Sequence, residues 1–309
     1  MLNQVFILLA LTQTKTTGPI YTQSLTTPTG LVQMRTLAQQ LVREGKPDIW
    51  LVGAMHIGSK QYYSSLQTLL DSQEVVLFEG VKTDAQKNAP TPKVDDKAKQ
   101  KEDTKTKPVY KALSDALGLE FQLNTIKYDR PNWKNVDLTW EELDKLNKDS
   151  KGNDKGGGYS QVKQILDPKS IQTKAFTDML DTATPGMKEA IKLMIVKTVS
   201  SSEIMLDADT ENIVVKARNS VVVKSLASSI SSQKPPKSIA VFYGAKHLPD
   251  MELTLIKEYG YKLGKQQWFL AADADPSKVD ATGKILLDML EKQKKSSGLG
   301  GNSRPSIRR

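Results

Sequence analysis

The chain has 309 residues, no cysteine and a formal net charge of +9. The length suffices for a sizeable core, in one large domain or two modest ones, and the missing cysteines exclude disulfides, thiolate metal sites and a cysteine nucleophile. The charge does not form a nucleic-acid groove: residues 84–108 hold seven Lys against five Asp and Glu, residues 291–309 hold six Lys and Arg against one Glu, and the remainder carries only about +2.

In chain order, residues 5–11 are a short apolar run, too short to span a bilayer. The run reads as the core of a signal peptide or as a first strand. Residues 1–4 supply no Lys or Arg, and no small-x-small cleavage site follows. Location stays open between the cytoplasm and export, and nothing later resembles a membrane span. Residues 19–27 and 30–36 read as strands around a turn at Pro28 and Gly30. Residues 37–44 read as a short helix stopped by Gly45 and Pro47.

Next comes a buried strand, Asp48-Ile49-Trp50-Leu51-Val52, ending in Gly53-Ala54-Met55-His56. Ser59 can cap a helix through about Ser72, with Tyr62, Tyr63, Leu66, Leu69 and Leu70 as its apolar stripe. Residues 74–78 form a second buried strand, ending in Glu79-Gly80. This is a β-α-β unit, so its strands are parallel and expected to be neighbours. Residues 84–108 are too polar for a core and read as a disordered insertion.

A helix is expected from Pro108 to Leu117, a strand over 121–128, and a helix start at Asp137-Leu138-Thr139, capped by Asp or Thr. Residues 161–230 read as mostly helical, broken near Pro168 and Pro185. A second strand ending in the same device comes after it: Ser238-Ile239-Ala240-Val241-Phe242-Tyr243-Gly244-Ala245-Lys246-His247. Residues 251–258 read as a helix closed by Gly260, and 267–271 as a strand. The expected fold is α/β, with a mixed, largely parallel central sheet, flanking helices and a mostly helical insertion. It would be one discontinuous domain over 19–290, with the helical insertion at about 109–232. Residues 291–309 would be a disordered basic tail.

The two histidines of the chain both follow Gly-Ala-x at the end of a buried strand. In open α/β sheets ligands bind at the carboxyl edge of the strands, which places His56, Glu79 and His247 at one edge. Two imidazoles and a carboxylate form a zinc-hydrolase type of ligand set; equally, Glu79 could be a general base with the histidines positioning substrate. Arg218 lies among Val214, Val215, Val221 and Val222. It either pairs with Glu211 or faces the site to bind a carboxylate or an oxyanion. Tyr128, Asp129 and Asp137 are weaker candidates, read as capping or orienting groups.

The order of these motifs resembles the TraB/PrgY/GumN/TIKI superfamily, on "LVGAMHIG", "VVLFEG", "ARN" and "VFYGAKHLP". Gly53, His56, Glu79, Arg218, Gly244 and His247 fall at its motif positions, with Tyr243 beside them as a supporting residue. The resemblance implies an α/β fold and a hydrolase site with a divalent ion of the manganese, cobalt or zinc class on His56, Glu79 and His247. A peptide or small amide is the expected substrate, which the resemblance by itself does not imply. The alternative it carries is a non-catalytic protein that binds haem or a peptide in the same cleft.

Overall fold

The computed structural model describes residues 19–88, 108–155, 157–198 and 207–296. The signal-like segment, residues 89–107 of the charged insertion and residues 297–309 of the tail lie outside it. The fold is α/β, built on a seven-stranded mixed sheet. Four strands are parallel: β3 (Asp48–Ala54), β5 (Val75–Phe78), β7 (Trp133–Asn135) and β8 (Ser238–Gly244), in the spatial order β3-β8-β5-β7. The antiparallel part is β1 (Thr22–Thr26), β2 (Val32–Val42) and β9 (Lys262–Ala274). β9 runs along the whole of β2, which also pairs with β1 through Val32–Thr36 and with β3 through Ala38–Leu41. A separate two-residue pair joins β4 (Ile57–Gly58) to β6 (Glu120–Phe121).

The apolar runs of β3 and β8 arise because helices cover both faces of the sheet. On one face, Val52, Val76, Ala240 and Phe242 pack against Tyr62, Tyr63, Leu66 and Leu70 of the helix Lys60–Asp71 and against the helices Val109–Leu117 and Pro185–Thr198. On the other, Ile49, Leu51, Leu77, Ile239 and Val241 meet Val222 and Leu226 of the helix Arg218–Ile230 and Met251 and Leu255 of the helix Leu248–Tyr259. Alternate residues of one strand therefore serve two cores. Ser59 caps the first helix by accepting from the Tyr62 N–H, while Gly118 and Gly260 end theirs in the left-handed conformation.

Several expectations need correction. Residues 37–42 of the helix expected over 37–44 are the second half of β2: Leu37, Ala38 and Leu41 have helical spacing, but partners along both edges of β2 hold the segment extended. The strands of the β-α-β unit are parallel but not adjacent, because β8 lies between β3 and β5. The strand expected over 121–128 is only β6 followed by a short helix, Gln122–Thr125, since pairing stops with β4. The stretch 109–232 is not wholly outside the sheet, for it contributes β7. Asp84–Asn88, placed in the disordered insertion, is helical. The C-terminal helix Ala281–Ser296 reaches past the expected start of the tail, with Leu286 and Leu290 buried. Among the described residues no helix is long and apolar enough to cross a membrane.

Candidate functional site

Each of the four parallel strands delivers one polar residue just past its carboxyl end: His56 after β3, His247 after β8, Glu79 after β5 and Asp137 after β7. Topology alone assembles this group. The fifth member, Arg218, comes from the helical side. The helix that carries it runs as Ala208–Glu211, then a π-helical segment Asn212–Ala217, then Arg218–Ile230. Such π segments inside α-helices recur at functional sites.

Arg218 is the hub. Its Nε and Nη2 donate to the two oxygens of Asp137 at 2.8 and 2.7 Å, and Nη2 also donates to Glu79 Oε1 at 2.6 Å. Nη1 donates to His247 Nε2 at 3.3 Å and to the Val214 carbonyl at 3.4 Å. The second Glu79 oxygen accepts from the Gly244 N–H at 2.6 Å. Asp137 also accepts from the Gly80 and Leu138 N–H groups. Side-chain exposure is 7% for Arg218, 14% for Glu79 and 0% for Asp137. Glu211, the alternative partner of Arg218, is not involved.

The electrostatics follow from this network. Burial opposes the charge of Glu79, but Arg218, the two imidazoles and the Gly244 N–H more than offset it and hold the carboxyl well below the usual carboxylate range. Burial likewise opposes the charge of Arg218, and Glu79 and Asp137 reverse that effect, so its pKa stands well above the usual value. Burial, reinforced by Arg218, pushes His247 down to about 4. His247 is thus neutral near pH 7, and the bonds define its tautomer: Nδ1–H donates to Asn219 Oδ1 at 2.7 Å, while Nε2 accepts from Arg218. Asn219 in turn donates to the His247 carbonyl and to Asp250.

His56 has a different setting. Burial lowers its pKa too, against the pull of Glu79 and the Gln122 side chain, but the residue is only half-buried and its ring packs on Tyr110, with centroids 4.5 Å apart. The turn that carries it is pinned from three sides. Tyr62 accepts from the Met55 N–H and donates to the Gly53 carbonyl, Tyr63 donates to the Met55 carbonyl, and the Gln122 N–H donates to the His56 carbonyl.

His56, Glu79, Arg218 and His247 line one cavity of about 280 Å³. Its floor is this polar group, with Lys246 at one side. Apolar side chains, among them Trp140, Leu143, Val162 and Val214, build the walls. Burial pushes Lys246 down to about 8, against the pull of Glu211.

The residues do not fit the expected divalent ion in this arrangement. Among the described residues no three His, Asp or Glu side chains converge as a metal-holding group. The Nε2 lone pair of His247 and both oxygens of Glu79 are taken by Arg218 and the Gly244 N–H. The cation these ligands surround is the guanidinium itself, and a second cation beside it would be repelled. Asp137 and Asn219 are the members that sequence reasoning undervalued. The signal for Asp137 was its place after a fourth parallel strand, but β7 is three residues long and includes Lys134. Tyr128, the other aromatic candidate, accepts from the Gln122 side chain and packs on Phe78 and Trp133.

Compared with protein families, with curated proteins and with solved structures, the chain finds no match.

Proposed function

We propose that this chain hydrolyses a peptide or amide bond held in the cavity, with His56 as the general base. The observation that carries the reading is the division of labour between the two histidines. His247 has both ring nitrogens committed to Arg218 and Asn219, whereas His56, half-buried against Tyr110 on the cavity wall, meets only the Gln122 side chain through one of its nitrogens. A neutral imidazole in such a place can take a proton near pH 7. In the proposed step a cavity water attacks the carbonyl carbon and gives a proton to His56. The carbonyl electron pair moves to oxygen, which the positive Arg218 stabilises through Nη1, its least committed nitrogen. The C–N bond then breaks, and His56 returns the proton to the departing nitrogen. Buried ion pairs are weak contributors to stability, so a buried Glu79–Arg218–Asp137 group facing a cavity supports a functional reading.

The motif order of the TraB/PrgY/GumN/TIKI type supports the same class of reaction and is part of the proposal. The cavity volume, about 280 Å³, is at the small end of ligand pockets. This favours a peptide segment or small amide over haem. The test is turnover of a peptide and amide library by wild type and His56→Ala, after chelation and with added manganese, cobalt or zinc. The expected result is turnover after chelation that is lost in His56→Ala while the melting temperature holds. Turnover only with added metal would replace this mechanism by one in which Arg218 yields its place to an ion. Binding without turnover under every condition would leave the binding-protein reading.

A further inference from the structure

Each histidine meets a carboxamide, and each carboxamide residue holds its histidine at two points. Asn219 accepts from His247 Nδ1–H at 2.7 Å through Oδ1 and donates to the His247 carbonyl at 3.1 Å through Nδ2. Gln122 repeats the pattern at His56. Its backbone N–H donates to the His56 carbonyl at 2.9 Å, and its side chain meets the imidazole as an acceptor. Gln122 opens the short helix Gln122–Thr125 directly after β6, and the β4–β6 pairing brings it to the corner.

Gln122 is only 5% exposed. Its Nε2 donates to Tyr128 Oη at 2.9 Å, which leaves Oε1 as the end that faces the imidazole. Among the described residues no well-aligned donor serves Oε1, so the contact with the ring is loose. Catalytic hydrogen bonds are often loose in a free protein and tighten with substrate. A buried acceptor without a donor is costly, and that cost favours a proton on the ring nitrogen facing Gln122. The other nitrogen then carries the lone pair. At His247 the matching nitrogen is taken by Arg218; at His56 it is left to the cavity the residue lines. A carboxylate in the place of Gln122 would hold an imidazolium and its proton. A neutral amide orients the ring without trapping the proton that the reaction must return.

We infer that Gln122 is the positioning residue of His56: its Oε1 accepts from one ring N–H, fixes the tautomer and leaves the second nitrogen bare for the reaction. This deepens the hydrolase reading and rests on it for what the bare nitrogen does, while the tautomer itself can be observed without turnover.

The test is nitrogen-15 NMR of the full chain near neutral pH. The chain has only two histidines, so imidazole labelling gives two sets of signals, assigned with His56→Ala. Wild type is expected to show His56 with one protonated and one bare ring nitrogen. Its ring N–H should be shielded from water exchange and give a nuclear Overhauser contact to the Gln122 side chain. Gln122→Met removes the acceptor and keeps the backbone N–H. Its two nitrogen signals should move toward the averaged values of a mobile imidazole, and kcat should fall about ten- to a hundredfold with KM nearly unchanged. A Gln122 with a merely structural role would lower the melting temperature and leave the tautomer as it was. Averaged nitrogens in wild-type His56 overturn the inference. So does a ring N–H open to water, the result if the amide is turned over and its NH2 occupies the lone pair. A Gln122→Met protein that keeps the wild-type tautomer overturns it as well. If Gln122→Met does not fold, the wild-type spectrum decides alone. The expected spectra without turnover of any amide overturn the hydrolase reading and leave the positioning of the ring intact. The expected spectra with unchanged kcat in Gln122→Met overturn the part of Gln122 in catalysis.

Discussion

The two Gly-Ala-x-His corners start from the same sequence device and end at the same sheet edge, on adjacent strands, yet the structure gives them opposite roles. After β8 the chain enters a 3-10 turn, Ala245–His247, that leads directly into a helix. That turn delivers His247 into a buried network in which both ring nitrogens are bonded. After β3 the chain enters the short β4–β6 pairing instead. His56 is left half-buried on the cavity wall, its backbone fixed by Tyr62, Tyr63 and Gln122 and its ring against Tyr110. The segment on the far side of the motif decides whether its histidine is a structural member or a working one.

The largest way to break this contrast is to remove the hub. Arg218→Met leaves Glu79 and Asp137 as buried carboxylates without their cation. We expect a loss of about 3–5 kcal/mol in urea unfolding. A loss below 1 kcal/mol would mean that the ion-pair network is not held as described.

Acid acts next. His247 titrates at about 4 in the folded chain and near the ordinary histidine value when unfolded. Between roughly pH 6.5 and pH 4 the unfolded chain therefore binds the proton and the folded chain does not, so stability falls as pH falls. His247 alone accounts for roughly 3 kcal/mol across that window, and His56, also lowered, adds to it. Glu79 works in the same direction lower down: its depressed pKa contributes stability that is lost as pH drops below the ordinary carboxylate value. Unfolding curves from pH 7 to pH 4, with NMR titration of the two imidazoles, check this. A His247 resonance that titrates near 6.5 would refute it.

Substituting the two histidines sharpens the contrast. His247→Ala strands Asn219 Oδ1 and frees one Arg218 nitrogen, for a loss of about 2 kcal/mol. His56→Ala should lose less than about 1 kcal/mol while abolishing turnover. Equal losses in thermal unfolding would erase the distinction.

The glycines give the smallest effects, and again they differ. A methyl group on Gly53 would lie 3.1 Å from the Leu37 backbone carbonyl, which the sheet holds in place. A methyl group on Gly244 would lie 3.1 Å from Glu79 Oε2, which can shift. We expect Gly53→Ala to lower stability by about 1–2 kcal/mol without a specific effect on activity. Gly244→Ala should cost about 1 kcal/mol or less but reduce turnover by displacing Glu79. Paired melting curves and rates for the two variants decide it.

Much of the fold and of the site was visible in the sequence, and the part that was not has physical causes. Buried strands such as β3 and β8 announce themselves through unbroken apolar runs, and the strand-end rule then places His56, Glu79 and His247 together. Caps at Ser59, Gly118 and Gly260 were legible because each is a local hydrogen bond or backbone requirement. Residues 37–44 misled because tertiary pairing overrode a helical spacing. β7 was invisible because three residues carry too little pattern, and Asp137 was undervalued with it. The roles of His56 and His247 could not be separated, since the groups that distinguish them, Asn219 and Tyr110, lie far away in the chain and nearby only in the fold.

The position of β8 also sets an order of events in making the protein. β3 and β5 are finished early, but the place between them belongs to a strand that begins at Ser238. Until that strand is made, the two halves of the parallel sheet must stand about 10 Å apart, twice the usual strand spacing, or pair wrongly with each other. The same late strand supplies the Gly244 N–H and His247, so the hub of the site closes only when the sheet does. Such long-range closure slows folding. It also makes β8 a keystone: in pulse-labelling hydrogen exchange, its amides and those of β5 should become protected together, after the hairpin of β1 and β2.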